Sequence, residues 1–518
     1  MDMILVNGNV ITMTTAGATA ADQPGGAVAI RDGRILAVGG EGGVRSAAAA
    51  DARVVDLEGK TVLPGFIDSH MHCFITGISL VAARLETAAS VAEVCERMAE
   101  QASRTPAGAW VYGIGCVPWA LAEGRYPTKE ELERAVPDHP AYIAAVTFHS
   151  GSTNVRGFDL IGLRPGQHGV EVDAEGRPTG AFLSDDSHFA AAGVAFGSLS
   201  DEEIADLYRK TASFAASRGV TTLHCLDGQF IEGDRDVRVL LDAGDQLDVH
   251  TVVMYQTMDV QKALDLGLPR IGGCLTIDGA GFERTALMYE PYTDDPSTCG
   301  DQYISDDEIL SFVREAHGAG LQIGMHAIGD KAVDVLVSAY DQVLEESPRE
   351  DARHRVEHFY LPSPRAMELA ERHGLALPMQ PVFSLLWDAE DSAYERLWGP
   401  VRAARAEPFA ELRDRGLVVS GGSDSPVTEV NPLVGIHGAV NNPRASRRVA
   451  VADALRMFTA NGAWVAFEEN EKGTIEPGKL ADLVVLDRDP FAEPGSIAEF
   501  KVEMTITAGR VVFERAVD

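Results

Sequence analysis

Between residues 321 and 420 the sequence repeats one rhythm, in which a short apolar run alternates with a pattern of helical spacing. The apolar runs lie at residues 321–325, 355–359, 375–379 and 417–420, and the helical patterns at 331–346, 363–373 and about 406–415. Strands that alternate with helices indicate βαβ units and a parallel sheet. We therefore predict an α/β fold. An open doubly wound sheet is a less favoured alternative, since no Gly-rich phosphate loop is present.

The two ends of the chain follow a different, strand-like alternation. It covers residues 3–13, 27–38 and 53–57 near the start and 481–486 and 504–513 near the end. Neither end could easily bury a core alone, so we predict one small β-sandwich built from both, with residues 1–61 and 472–518. Residues 62–471 would then form the main domain. Within it, residues 74 to about 200 fit the rhythm poorly and predict an insertion that covers the active site.

The charge of the chain limits its partners. The net charge is −34 over 518 residues, with an isoelectric point near 4.7. A protein that binds nucleic acid or an anionic membrane surface needs a basic face, so neither is an expected partner. No apolar run approaches the ~20 residues of a membrane helix. The expected partner is a small-molecule substrate, and a homodimer is an open alternative for the assembly.

The six cysteines are widely spaced and include no CxxC pair. In a chain of this size, that pattern predicts free thiols in a reducing compartment rather than a disulfide framework. The first residues also lack the basic and apolar regions of a secretory signal. The sequence therefore predicts a cytoplasmic protein.

Two histidines follow an apolar run near the start of the main domain. Asp68, His70 and His72 alternate after the run at residues 62–67. Residues i and i+2 of a strand face the same side, so these three side chains should point the same way. Two imidazoles at this spacing can share one metal ion. The segment therefore predicts half of a metal site.

Three further candidates close later apolar runs. His326 and His358 lie about one βα unit apart, and Asp424 follows about two units later. Barrel enzymes place their sites at such strand ends. Imidazoles plus a carboxylate suit Zn²⁺ most readily, with Fe²⁺ or Mn²⁺ as alternatives. A bound divalent ion lowers the pKa of its water to ~7, and Asp424 is the candidate acid/base for moving the proton.

Together these motifs resemble the amidohydrolase superfamily, in the branch that includes N-substituted formamide deformylases. The resemblance covers nearly the whole chain. It is carried by residues 64–70 (PGFIDSH), 326–332 (HAIGDKA), 353–358 (RHRVEH), 422–427 (GSDSPV) and 473–487 (GTIEPGKLADLVVLD). It implies a (β/α)8 TIM-like barrel with a small β-sandwich, and one or two divalent ions. By resemblance, His70 and His72 hold one ion, His326 and His358 hold a second or help with the first, and Asp424 binds metal.

The chain departs from this family at the end of the fourth barrel strand. Two-metal relatives usually carry a carboxylated lysine there, whereas Cys274 stands at the matching position, and none of the eight lysines does. A thiolate is a good Zn²⁺ ligand. We expect Cys274 to ligate or bridge the metals. The alternative is a small core thiol beside a single ion.

Weaker candidates surround this set. The sequence predicts substrate contacts from six residues: His149, Asn154, His224, Asp278, Arg284 and Trp119. His224 is expected to end the third strand, and Arg284 could bind a substrate carboxylate. Trp387 could line an apolar pocket. Asp68 and Asp330 are expected to orient ligand imidazoles.

These observations predict hydrolysis of a non-peptide C–N bond, in an amide or formamide of a small, partly apolar molecule. A deaminase or cyclic-amide hydrolase using the same site is the first alternative, since a hydrated metal ion serves all three reactions. A metal-binding homologue without activity is the second. Against it stands the complete set of His70, His72, His326, His358 and Asp424.

Overall fold

The computed structural model describes residues 2–14, 23–228, 230–387 and 392–516, and its centre is a barrel of eight parallel strands. In spatial order these strands are Phe66–Met71, Val220–Asp227, His250–Tyr255, Arg270–Ile271, Gln322–Ala327, Arg355–His358, Ala376–Met379 and Val418–Gly421. The last strand returns to the first, where Ser69 Oγ donates to the Gly421 carbonyl at 2.8 Å. The amide of Asp424 donates to the His70 carbonyl across the same seam. The barrel is therefore nearly closed.

Helices cover the outside of the barrel. Those after the second and later strands are Arg235–Ala243, Val260–Asp265, Asp306–Gly318, Asp330–Glu346, Pro364–His373, Pro381–Trp387, Ala393–Trp398, Pro400–Ala403, Phe409–Asp414, Pro432–Val440, Val451–Met457 and Ala460–Val465. Asp330–Glu346 is typical, because Val333, Leu336 and Val337 lie on one buried face. Among the described residues, no helix combines the length and the apolar character needed to cross a bilayer.

An insertion separates the first two barrel strands. Its sheet contains Ala83–Arg84, Val111–Cys116, Ala141–Ala145, Gly151–Thr153, Val170–Val172 and Pro178–Phe182. Its helices are Cys73–Val81, Val91–Ala102, Lys129–Ala135, Val155–Ile161, Asp185–Gly197 and Asp201–Ser217. The insertion has its own apolar cluster, which includes Leu85, Met98 and Ile143. Residues 147–149, just after the third of these strands, reach the mouth of the barrel.

Strands from both ends of the chain pair in one further sheet. They are Met3–Val10, Gln23–Arg31, Arg34–Gly40, Arg53–Asp56, Thr61–Pro64, Leu483–Leu486, Val502–Thr507 and Arg510–Glu514. Thr61–Pro64 joins the two sets, since it pairs antiparallel with Leu483–Leu486 and parallel with the first strand. The predicted two-layer sandwich is not confirmed, because hydrogen bonds link all eight strands into a single sheet. Met1, residues 15–22 and residues 517–518 of the predicted terminal domain lie outside the described residues.

The prediction that all cysteines are free is wrong for one pair. Cys73 and Cys225 form a disulfide with a Cα–Cα distance of 5.3 Å. Cys73 directly follows the first barrel strand and Cys225 lies in the second, so neighbouring strands bring together residues separated by 152 positions. Spacing along the chain gives no sign of this pairing, because the insertion lies between the two strands.

Candidate metal centre

His70, His72 and Asp424 meet at the mouth of the barrel. Oδ1 of Asp424 lies 3.2 Å from Nε2 of His70 and 3.4 Å from Nε2 of His72. All three side chains are buried or nearly so. One ligand atom from each lies within 4.8 Å of the others, a spacing at which a single ion can contact all three. This set forms the first group of candidate ligands.

Cys274, His326 and His358 lie beside the first group and, together with His70, form a second group. The Cys274 sulfur lies 3.6 Å from Nδ1 of His326 and 3.7 Å from Nε2 of His358. Ligand atoms of His70, Cys274 and His358 also lie within 4.8 Å of one another. His70 therefore belongs to both groups, and the two groups are contiguous.

The backbone is distorted where three of these residues stand. His358 and Asp424 have φ angles of 71° and 56°, in a region that non-glycine residues seldom adopt and that costs about 1–3 kcal/mol. The fourth strand stops after two residues, because Gly272 at φ 94° turns the chain close to the carbonyl of Gly324. A Cβ at residue 272 would lie 2.1 Å from that oxygen. This glycine turn places Cys274 at the centre.

Other groups orient the candidate imidazoles. Nδ1 of His70 donates to Oε2 of Glu357 at 2.6 Å, and Nδ1 of His72 donates to the Leu226 carbonyl at 2.8 Å. Nδ1 of His358 donates to the side-chain oxygen of Gln380 at 2.8 Å. Each bond fixes the ring so that Nε2 carries its lone pair toward the centre.

The two aspartates that were expected to orient imidazoles accept hydrogen bonds from backbone amides instead. Oδ1 of Asp68 accepts from the amides of His70 and Ser423, which ties the first strand to the segment after the eighth. Asp330 accepts from the amide of Tyr289. This corrects the expectation for both residues, whose carboxylates bond no described imidazole.

The charges at the centre favour a cation. Burial alone would lower the pKa of His72, but hydrogen bonds to Asp424 and Cys274 outweigh it and raise the pKa to about 10. Burial alone would raise the pKa of the Cys274 thiol, but His70, His326 and His358 hold it well below its usual range. The Asp424 carboxyl behaves likewise, because bonds to His70 and His72 outweigh its burial and lower its pKa. Two anionic groups thus lie among four imidazoles.

These residues fit divalent metal ions. Nε2 of His70 is buried and lies 3.2 Å from Oδ1 of Asp424 without hydrogen-bond geometry, whereas its Nδ1 is bonded to Glu357. A buried imidazole nitrogen without a partner is costly unless a ligand occupies its lone pair. Imidazoles, a thiolate and a carboxylate are the donors that Zn²⁺ prefers. The chemistry of the donor set and the buried Nε2 of His70 therefore both indicate a divalent metal ion.

A cavity of about 70 Å³ opens onto this centre. Besides candidate ligands, its walls are mostly aromatic and apolar, and include Phe230, Phe282, Phe383, Trp387 and Tyr394. His149, from the insertion, also lines it, with its ring 5.7 Å from that of His326. His149 and Trp387 thus line the cavity that opens onto the candidate metal centre.

His224 and Asp278 are buried near the centre without lining this cavity. His224 lies in the middle of Val220–Asp227, which is the second barrel strand and not the third, so its ring is inside the barrel. Its Nδ1 accepts from Arg355 at 3.2 Å. Asp278 accepts from the amides of Leu287, Ile328 and Gly329. His224 and Asp278 were predicted to contact substrate. The structure corrects this prediction, because their side chains bond to Arg355 and to backbone amides instead.

Arg284 and Trp119 are placed away from the cavity walls. Arg284 is partly exposed and pairs with Asp294 at 2.5 Å. Trp119 is 42% exposed and stacks on the outer side of the cavity residue Phe282, with ring centroids 5.1 Å apart. Neither residue lines the cavity. The prediction that Arg284 and Trp119 contact substrate is corrected accordingly.

Asn154 has a structural position. Its side-chain oxygen accepts from the amides of Ala141 and Gly157, and its nitrogen donates to the carbonyls of Val136 and His139. Every polar group of the amide is therefore used to cap the helix Val155–Ile161 and to join it to neighbouring strands. This corrects the expectation that Asn154 binds substrate.

Three supporting residues escaped the sequence analysis. Glu357 and Gln380 hold imidazoles, and Arg355 donates to Glu357 and to the carbonyl of Ser69. A signal was present, because Arg355 and Glu357 are charged residues of equal parity in a strand that is otherwise buried. Buried charges of that kind are almost always paired for a structural or functional reason.

Comparisons with known proteins find relatives that cover most of this chain. The chain is 29% identical to the putative amidohydrolase YtcJ of Bacillus subtilis, over 89% of this chain and 90% of that protein. It is 27% identical to an N-substituted formamide deformylase of Arthrobacter pascens, over 99% and 98%. An uncharacterized metal-dependent hydrolase from Pyrococcus furiosus superposes with a TM-score of 0.76 at 27% identity, over 95% of this chain and 100% of that one.

A family model decides the assignment. The model of an amidohydrolase family matches residues 53–513, which span the barrel, the insertion and part of the terminal sheet. The resemblance seen in the motifs is thereby confirmed, and this chain belongs to that amidohydrolase family.

Proposed function

We propose that this protein is a metal-dependent hydrolase that cleaves a non-peptide C–N bond in an amide or formamide. The observation that carries the proposal is the pair of contiguous ligand groups that share His70. His70, His72 and Asp424 would hold one ion, and His326, His358 and Cys274 a second. When bound, such ions acidify a water molecule and polarise the substrate carbonyl.

Asp424 would move the proton. Its carboxylate stays ionised because two imidazoles contact it, so it can accept a proton from the attacking water. The same group then returns the proton to the departing nitrogen, which leaves as a neutral amine. His149, at the edge of the cavity, would donate a hydrogen bond to the substrate carbonyl.

The first test is metal content and then turnover. Protein purified without chelator or affinity nickel is analysed by plasma mass spectrometry and assayed against N-substituted formamides and simple amides. We expect about two ions per chain, and release of amine and acid. Release of ammonia from amino-substituted rings would instead indicate the deaminase alternative. Asp424→Asn is the control for adventitious hydrolysis. A chain that binds no Zn²⁺, Mn²⁺ or Fe²⁺ would contradict the proposal.

A further inference from the structure

The cavity at the metal centre is too small for most substrates. Its volume of about 70 Å³ is well below the ≈300–1,000 Å³ of typical ligand pockets. It therefore has room for the reacting group and one small substituent. Any larger part of a substrate has to lie elsewhere.

A second, larger cavity of about 1340 Å³ adjoins it. One wall of this outer cavity is the insertion helix Asp185–Gly197, and the opposite wall comes from the loops after the second, third and fourth barrel strands. Phe189, Gln256 and Thr276 line both cavities. These three residues therefore form the partition between the two spaces.

Each partition residue is close to a candidate metal ligand. The Phe189 ring lies 6.0 Å from Phe230, whose ring in turn lies 5.8 Å from His72. The side-chain nitrogen of Gln256 donates to the Cys274 carbonyl at 3.4 Å. Thr276 forms a β-bridge with His326. A molecule that passes this partition would arrive directly at the metal centre.

The outer cavity carries little uncompensated charge on the residues described. Asp234 pairs with Lys262 and Arg235 with Asp201, and Asp186 is hydrogen-bonded to His168, which balances its charge only when protonated. Much of the remaining wall is apolar, with Ala190, Val194, Ile231, Met258, Leu275 and Ile304. Such a surface suits an uncharged, partly apolar group, whereas a carboxylate would find no free cation among these side chains.

We propose that the outer cavity is a subsite for the remote part of the substrate, and that Phe189 determines specificity at its entrance. The substrate class is an amide with one small substituent, held at the metal centre, and one long, uncharged substituent that passes Phe189. This inference rests on the proposed function. It adds a size and charge rule for the substrate.

Hydroxamates test the subsite without requiring turnover, because they bind metal centres directly. Calorimetry on the Zn²⁺-loaded protein compares acetohydroxamate with 6-phenylhexanohydroxamate. We expect the long probe to bind about tenfold tighter, since its chain and ring are removed from water. Phe189→Trp should remove that advantage, because it weakens the long probe much more than acetohydroxamate. Phe158→Trp is the matched control, because Phe158 is partly buried in the same insertion and lines neither cavity.

The outcomes separate the two proposals. The subsite proposal is contradicted if acetohydroxamate binds but the longer probe binds no more tightly, or if Phe189→Trp weakens the binding of both probes equally. In either case the proposed metal centre is not contradicted. If neither probe binds the loaded wild-type protein, both the proposed function and the subsite are overturned. A sebacate half-hydroxamate, which has a similar reach but ends in a carboxylate, should bind more weakly than the phenyl probe, and tighter binding would contradict the charge rule.

Discussion

Nδ1 of His70 and Oε2 of Glu357 are 2.6 Å apart, and neither side chain is accessible to solvent. Arg355 donates two further hydrogen bonds to the same carboxylate. The arginine balances the charge of Glu357, and Glu357 in turn fixes the orientation of the one imidazole shared by both ligand groups. We therefore expect metal binding at this centre to depend on Glu357, which is not itself a candidate ligand.

Replacing Glu357 should weaken metal binding. Glu357→Gln keeps the shape but lets an amide face Nδ1 of His70, so the ring is no longer held in one tautomer. We expect metal affinity to fall about 10–100-fold, as for comparable supporting groups. Competition with a fluorescent chelator measures this. Glu346→Gln, at an exposed glutamate paired with Arg314, is the control. Unchanged affinity in Glu357→Gln would show that the pair serves stability alone.

Cys274 should hold one of two ions. Cys274→Ala removes the thiolate between His326 and His358, and we expect metal content to fall from about two ions per chain to about one. Plasma mass spectrometry of the purified variant gives the count. Cys116→Ala is the matched control, because Cys116 is an equally buried free thiol in the insertion. Full metal content in Cys274→Ala would show that Cys274 is not a metal ligand and serves only as a buried core thiol.

Asp424→Asn should reduce the rate of turnover much more than it reduces the affinity for acetohydroxamate. The amide cannot accept the proton from water, so we expect the rate of formamide hydrolysis to fall at least about 10²–10⁴-fold, the contribution typical of general acid–base catalysis. Acetohydroxamate affinity, measured on the same samples, should change far less because five candidate ligands remain. A variant that keeps its rate would exclude Asp424 as the acid/base.

Gly422 should tolerate no side chain. A Cβ there would lie 2.7 Å from the backbone nitrogen and the Cβ of His70. Gly422→Ala should therefore displace His70, and we expect both reduced metal content and a lower midpoint of thermal unfolding. Gly43→Ala is the control, since Gly43 lies in the helix Glu41–Ala47 with open space around it. Normal metal content in Gly422→Ala would show that the backbone between the first and eighth barrel strands can adjust to the added methyl group.

Acid should destabilise the fold partly through His354. Burial, together with Arg349 and His317, holds the pKa of His354 well below 6.5, so the folded ring is neutral and bonds to His317 at 3.0 Å. The unfolded ring gains a proton below pH 6.5, so stability is lost as pH falls through that value. His354→Gln should lose less stability between pH 7.5 and 5.5 than the wild type. Urea unfolding at both pH values measures the difference, and exposed His168→Gln should behave as wild type.

Local patterns predicted the elements well. The helix predicted at residues 331–346 is Asp330–Glu346, and the strand predicted at 355–359 is Arg355–His358, because apolar spacing and Gly or Pro punctuation act over a few residues. The equal parity of His70 and His72 likewise follows from strand geometry. The family motifs added the fold, since spacing alone did not distinguish a barrel from an open sheet.

Pairings across the chain could not be predicted in this way. The bond between His70 and Glu357, the disulfide of Cys73 and Cys225, and the capping of Val155–Ile161 by Asn154 each depend on the three-dimensional neighbour. Polar residues such as Asn154 are equally suited to capping and to binding ligands. Only the position of the side chain relative to the cavity separates these roles.

The sheet that unites both ends of the chain also has a consequence during synthesis. Thr61 pairs with Leu486, and the ribosome makes these residues some 425 positions apart. At about 5–20 residues per second, the N-terminal strands wait tens of seconds for their partners. Throughout that interval, the edge of Thr61–Pro64 is unpaired and can capture other strands. The nascent chain therefore exposes this unpaired strand edge until Leu483–Leu486 has emerged.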